Sequence, residues 1–173
     1  HFTDVLTDPN RVLEILDRFA KFGLELQVAE FDVDTDNEEL QAKYLRDFFI
    51  AVFSHPSVGV LQQWGFYEPL HWRPRAALFR KDWSVKPNGR AFLDLVFKQW
   101  WTDQGGTTDE QGRFKLRAFH GDYEVTVKNG TAIRRDKLAL AKGACTARVV
   151  LLSPAGSERG EPAATDSPPP SSR

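Results

Sequence analysis

The sequence predicts an α/β fold over its first hundred residues, then a small antiparallel β unit, then a disordered tail. Three observations carry this prediction. Helical and strand periodicities alternate up to Trp101, turn signals then recur between short β-rich runs, and the chain from Ser153 onward is Pro, Ser, Ala and Gly with scattered charge. The partition that follows is 1–103, 104–152 and 153–173.

Asp8-Pro9 supplies an acidic N-cap and a proline at the first helical position, and Gly23 supplies the stop. Between them Val12, Leu13, Leu16, Phe19 and Ala20 recur at helical spacing, which predicts an amphipathic helix. Leu24 to Val33 reads as a buried strand. Asp36 with Glu39 resembles a capping box, with Asp in place of the usual Ser or Thr. Leu40, Tyr44, Leu45, Phe48 and Val52 then continue as an apolar face until Ser54-His55-Pro56 ends the helix. Val58 to Trp64 is the next strand, followed by an aromatic loop and a helix near Asn88 to Trp101. This is the rhythm of a parallel sheet, and two strands neither close a barrel nor stand alone as a sheet. The chain also opens on His1 rather than Met, so it reads as a piece of a longer protein.

After Thr102 the pattern changes. Gly105-Gly106, Gln111-Gly112 and Asn129-Gly130 are turn signals set among candidate strands at Arg113–Phe119, Tyr123–Lys128 and Arg148–Leu152. The final stretch is too poor in apolar residues to offset its ordering entropy by burial.

With 41% hydrophobic residues, 13 Phe and 5 Trp among 173, the chain can build a core and still spare aromatic side chains for a surface. A net charge of −1 favours neither nucleic acid nor an anionic membrane as partner, and no apolar run reaches the roughly 18 residues that a bilayer span needs. A single cysteine, Cys145, excludes an internal disulfide and a multi-cysteine metal site. His120 has no second His or Cys at ligand spacing, so it reads as a loop residue, and His55 and Cys145 read as packing or loop residues. No metal or cofactor is expected.

Two clusters carry chemistry. Val28-Ala29-Glu30-Phe31-Asp32-Val33 is an apolar strand that delivers two carboxylates two positions apart, and strand alternation points Glu30 and Asp32 the same way. A strand end in a barrel or open sheet is where chemistry is placed. The competing reading is a solvated Glu and Asp at a strand-to-loop junction. The second cluster runs from Trp64-Gly65 to His71-Trp72, where a strand ends and a loop brings a second Trp eight positions later. Indole faces stack on the apolar faces of sugar rings while polar edges bind hydroxyls, so carboxylate plus Trp is a pairing suited to a glycoside. Core packing is the alternative for either Trp, and Gly65 with the polar and proline content of the loop favours an exposed wall.

On these residues, positions 1 to about 101 resemble the C-terminal part of the glycoside hydrolase family 10 barrel, the family of retaining endo-β-1,4-xylanases. Ala29-Glu30-Phe31-Asp32-Val33 is similar to the Thr-Glu-Leu-Asp-Ile of its strand seven. Trp64-Gly65 through Trp72 resembles its Trp-Gly…Trp at strand eight, His1-Phe2 the end of strand six, and Asp82-Trp83-Ser84 with Lys86-Pro87 the approach to its last helix. The resemblance implies the C-terminal portion of a TIM (β/α)8 barrel, from the end of strand six to helix eight. It implies Glu30 as nucleophile, Asp32 and His1 as a hydrogen-bonded layer that orients Glu30 and keeps it ionised, and Trp64 and Trp72 as glycone-subsite walls. The expected substrate is xylan or a related β-1,4-glycan, and the expected location is extracellular. The family's acid/base carboxyl lies on strand four, before residue 1, so the fragment alone is expected to be inactive. Ala29 for Thr, and Phe66-Tyr67-Glu68-Pro69 for Val-Ser-Asp-Pro, are departures that leave substrate preference open.

Residues 106–127, with Thr108-Asp109 leading to Gly112 and Phe114 and then Gly121 and Tyr123, resemble the carboxypeptidase-regulatory-like β-sandwich units appended to secreted enzymes. Three readings stand at this point: the C-terminal part of a xylan-degrading retaining glycosidase, a non-catalytic carbohydrate-binding or scaffold piece, and a barrel glycosidase of another family.

Overall fold

The computed structural model describes residues 1–3, 5–141 and 149, and the chain divides into two compact units, residues 1–116 and the stretch from Arg117 onward. The first unit is built on a parallel pair, β1 (Leu26–Phe31) and β2 (Val58–Gln63), joined by helix α2 (Glu38–Ser54). This is a βαβ crossover, the connection that parallel strands require. Phe2 lies on the other side of the β1 end, bridged to Val33: its N–H donates to the Asp32 carbonyl at 2.9 Å and its carbonyl accepts from the Asp34 N–H at 2.9 Å. Among the described residues no helix is long and apolar enough to cross a membrane.

Helix α1 (Pro9–Ala20) starts where Asp8 accepts from the Asn10 N–H at 2.7 Å, with Pro9 in the first turn. Val12 and Leu16 are its buried residues, while Phe19 faces out. At the start of α2 the cap is Asn37, not Asp36: the Asn37 side chain accepts from the Leu40 N–H at 2.9 Å. Asp36 is drawn instead to the Arg75 guanidinium at 2.7 Å. Tyr44, Leu45, Phe48, Phe49 and Val52 then bury one face of α2 against Phe31 and Val33, and Phe2 closes the cluster. Ring packing is dense here, with Phe31 4.5 Å from Phe48 and 5.1 Å from Phe49 between centroids. The last helix, α3 (Pro87–Asp94), ends in a π-helical turn over Leu95–Gln99, shorter in regular form than the pattern suggests.

The strand expected over Leu24–Val33 is buried only towards its end. Phe31, Asp32 and Val33 are inaccessible, whereas Leu24 is exposed and β1 alternates between partial and full exposure before Phe31. Its pairing register also slips: Val28 faces Leu61 and Phe31 faces Gln63, three steps on β1 against two on β2. This is a bulge at Ala29-Glu30. Leu26 and Val28 pack towards the helices on one side of it and Phe31 and Val33 on the other, so the apolar parity changes across the extra residue.

The second unit contains a hairpin of β3 (Gly121–Asn129) and β4 (Ala132–Leu140), antiparallel and in unbroken register. The two-residue loop Gly130-Thr131 places Gly130 at φ 56°, which is why glycine follows Asn129. The expected Tyr123–Lys128 strand thus forms, and its partner is Ala132–Leu140, a run the sequence reading left unassigned. Arg113–Phe119 is not a strand; residues 109–113 instead form a tight loop in which Asp109 accepts from the N–H groups of Gln111 and Arg113. Among the described residues this unit shows one hairpin. Arg148–Leu152, Cys145 and the tail 153–173 fall outside the described residues, apart from Val149.

Candidate active site

Glu30 follows the bulged Ala29 at the C-terminal end of β1, and its carboxylate is about half exposed, at 47%. His1, delivered by the segment beside that strand end, places Nε2 2.8 Å from Glu30 Oε2 and Nδ1 2.9 Å from Asp32 Oδ1. One imidazole therefore bridges both carboxylates. The first contact is a hydrogen bond; the second has ion-pair distance but lies off the hydrogen-bond direction, and Asp32 Oδ1 has no hydrogen-bond partner. The other oxygen, Oδ2, accepts from the Trp72 indole N–H at 2.7 Å. Asp32 is wholly buried, so these two neighbours supply what water would otherwise provide. Shielding from water alone would lower the His1 pKa; the close carboxylates of Asp32 and Glu30 outweigh it and raise the group above its ordinary 6.5. Positive charge is thereby favoured between the two carboxylates.

The indoles complete the site. Trp72 and Trp64 present their rings edge-on to His1, with centroids 4.8 Å and 6.4 Å away, and both are partly exposed. The loop that carries them turns at Gly65, whose φ is 71° and whose would-be Cβ lies 2.5 Å from the His71 ring. Glycine is required there on both counts. His71 itself is buried: Nε2 lies 2.6 Å from the Trp64 carbonyl, and Nδ1 accepts from the Arg73 N–H at 3.0 Å. The structure thus brings His1, Glu30, Asp32, Trp64 and Trp72 together. Trp72 is also not a free wall, because its N–H is committed to Asp32.

Sequence reading missed the layer behind. Arg73 lies over the Trp72 ring with its guanidinium carbon 4.4 Å from the centroid, and its Nη1 donates to Asp34 Oδ2 at 3.0 Å. Arg75 donates to the other Asp34 oxygen at 2.9 Å. Asp32 and Asp34, two apart on one chain, therefore hold the indole and the cation over it. Further along the loop, Arg80 makes a two-pronged contact with Glu38 at 2.8 Å for each bond, and the buried Lys86 ammonium donates to the Arg75 carbonyl. Gln41 ties the loop to the strand, donating to the carbonyls of Val33 and Arg75. Only the run of charges between residues 34 and 38 hinted at these ties, and their partners lie some forty positions away.

Asp34 gives a test by pH. Burial alone would raise its pKa, but hydrogen bonds from Arg75 and Arg73 prevail and hold the carboxyl below its ordinary 3.8. A depressed acid stabilises the fold fully above its unfolded value and loses that contribution as pH falls through the folded one. Denaturant titrations should therefore show wild-type stability falling more steeply below pH 3.8 than that of Asp34→Asn, with parallel curves at neutral pH. Identical slopes in acid would remove this carboxylate from the tie.

A βαβ segment with its polar cluster at the strands' C-terminal ends is the architecture of parallel α/β barrels. The chain belongs to glycosyl hydrolase family 10, whose model matches residues 1–95. It is 38% identical over 128 residues to the anti-sigma-I factor RsgI6 of Acetivibrio thermocellus, a match covering 73% of this chain and 17% of that protein. It is also 33% identical over 116 residues to endo-1,4-beta-xylanase 1 of Arabidopsis thaliana, covering 67% of this chain and 12% of that protein. Among solved structures, xylanase 10B from Thermotoga petrophila RKU-1 in complex with xylobiose matches with a TM-score of 0.52 and 26% identity, over 57% of this chain and 35% of that one. The chain thus spans less than a fifth of the curated relatives it matches, and about a third of the solved xylanase.

Proposed function

We propose that this chain is the nucleophile-bearing part of an extracellular enzyme that hydrolyses β-1,4-xylan with retention at the anomeric carbon. The observation that supports it most is the half-exposed Glu30 carboxylate held at 2.8 Å by an imidazole that also meets the buried Asp32. In this reading a Glu30 oxygen attacks the anomeric carbon as the glycosidic bond breaks, and a second carboxyl in the complete barrel protonates the departing oxygen. Water then attacks the glycosyl ester and releases Glu30. His1 leaves one oxygen of Glu30 free to attack while holding the other, and Trp64 and Trp72 bound the space where the sugar ring sits. The family membership and the likeness to a xylanase with bound xylobiose support the substrate class.

A second reading rests on the likeness to an anti-sigma-I factor: the same barrel segment would bind polysaccharide within a regulatory protein. Trapping separates them. The full-length protein incubated with an activated 2-fluoro xyloside should gain the mass of one fluoroxylosyl group on the peptide that contains Glu30. Bound xylo-oligosaccharide without any adduct would favour the second reading.

A further inference from the structure

We propose that Trp83, stacked on Tyr67, is a second sugar-binding platform outside the Glu30 site, one that takes a pyranose ring of the β-1,4-glycan chain. The inference rests on the reading of that polymer as substrate. Residues Phe79–Val85 form a small hairpin: Phe79 pairs with Val85 across the chain, the Arg80 N–H donates to the Ser84 carbonyl, and the Trp83 N–H donates to the Arg80 carbonyl, both at 2.9 Å. The three-residue loop closes on Trp83, whose φ is 65°. That position of such a loop is ordinarily given to glycine or asparagine, because a left-handed backbone crowds any larger side chain. Here it carries the largest side chain available, and Trp83 is the one described residue other than glycine with a positive φ.

Burial does not account for it. Trp83 is 58% exposed. Its ring lies nearly parallel to that of Tyr67, at 12° and 4.2 Å between centroids, so one face is backed by a second aromatic ring. Phe79 approaches at a tilt with its centroid 6.2 Å away. The backing is itself fixed: the Tyr67 hydroxyl donates to the Lys81 carbonyl at 2.9 Å, and Glu68 accepts from the Lys81 N–H at 2.9 Å. Arg80, at the hairpin's foot, is anchored by its two bonds to Glu38. A flat apolar face is therefore held in place at the cost of an unfavourable backbone, which marks a position kept for its side chain. No charge is presented by the two rings, and a neutral ring with an apolar face is the ligand they suit. Continuity favours the same polymer: Tyr67 stands between Trp64 and Trp72 in the loop that bounds the Glu30 site.

Trp83→Gly is the decisive variant, because glycine suits φ 65° and the relief of that backbone offsets the loss of the stack on Tyr67. In the full-length protein it should weaken retardation in gels containing soluble xylan by roughly three- to ten-fold, while turnover of a small aryl xyloside and the melting temperature hold or rise. Trp83→Tyr should restore most of the retardation. Unchanged retardation for Trp83→Gly, in a protein that does bind xylan, would overturn the platform and leave the assigned substrate standing. A fall in the melting temperature would overturn it too, by making the ring a packing element. If the unaltered protein neither binds xylan nor cleaves the aryl xyloside, the substrate reading falls and this inference falls with it.

Discussion

Glu30→Gln in the full-length protein should lower turnover of an aryl xyloside by on the order of four powers of ten or more while leaving the melting curve in place. The amide is nearly isosteric with the carboxylate, and its oxygen can still accept from the His1 imidazole 2.8 Å away. What disappears is the anion that forms the bond to the anomeric carbon. Kinetics on a substrate with a good leaving group isolate that step, since such a substrate needs little help from an acid on its departing side. Turnover near the wild-type value would take Glu30 out of the nucleophile's role, and a collapsed melting curve would make the loss structural.

Phe31→Ala should cost about 3–5 kcal/mol of folding stability. The ring is 1% exposed and meets Phe2, Tyr44, Phe48 and Phe49, so it joins the strand, the N-terminal segment and α2 in one cluster. Its removal opens a cavity that rings on three sides cannot collapse to fill. Phe31→Leu keeps most of the volume and should cost about 1–2 kcal/mol. Urea unfolding of the two variants checks the order, and equal small losses would show that the cluster repacks freely.

Local signals were legible in this chain wherever one turn or one strand decided the outcome. Asp8-Pro9 starts α1 and His55-Pro56 ends α2 because capping and proline sterics act within a few residues. The start of α2 was misplaced by one residue for a reason no local pattern contains: the carboxylate at 36 is taken by Arg75, thirty-nine positions away, and leaves the capping to Asn37. The second hairpin strand escaped notice because Arg134, Arg135, Asp136 and Lys137 interrupt its alternation, although Asp136 and Leu138 both turn to the less exposed face. The carboxylate pair stood out through strand periodicity, whereas Arg73 over Trp72 did not, since its anchor at Asp34 is adjacent only in three dimensions.

The bulge at Ala29-Glu30 makes β1 two short strands with different allegiances. Upstream of it, Leu26 and Val28 answer to packing; downstream, Phe31 and Val33 do the same from the opposite parity, while Glu30 and Asp32, two apart, both reach the imidazole of His1. Transplanting this site into another parallel strand means transplanting the miscount as well. A graft of Glu30, Asp32 and the two indoles onto a regular strand would keep the shared direction of its two acids but turn Leu26 and Val28 away from the face that Phe31 and Val33 pack.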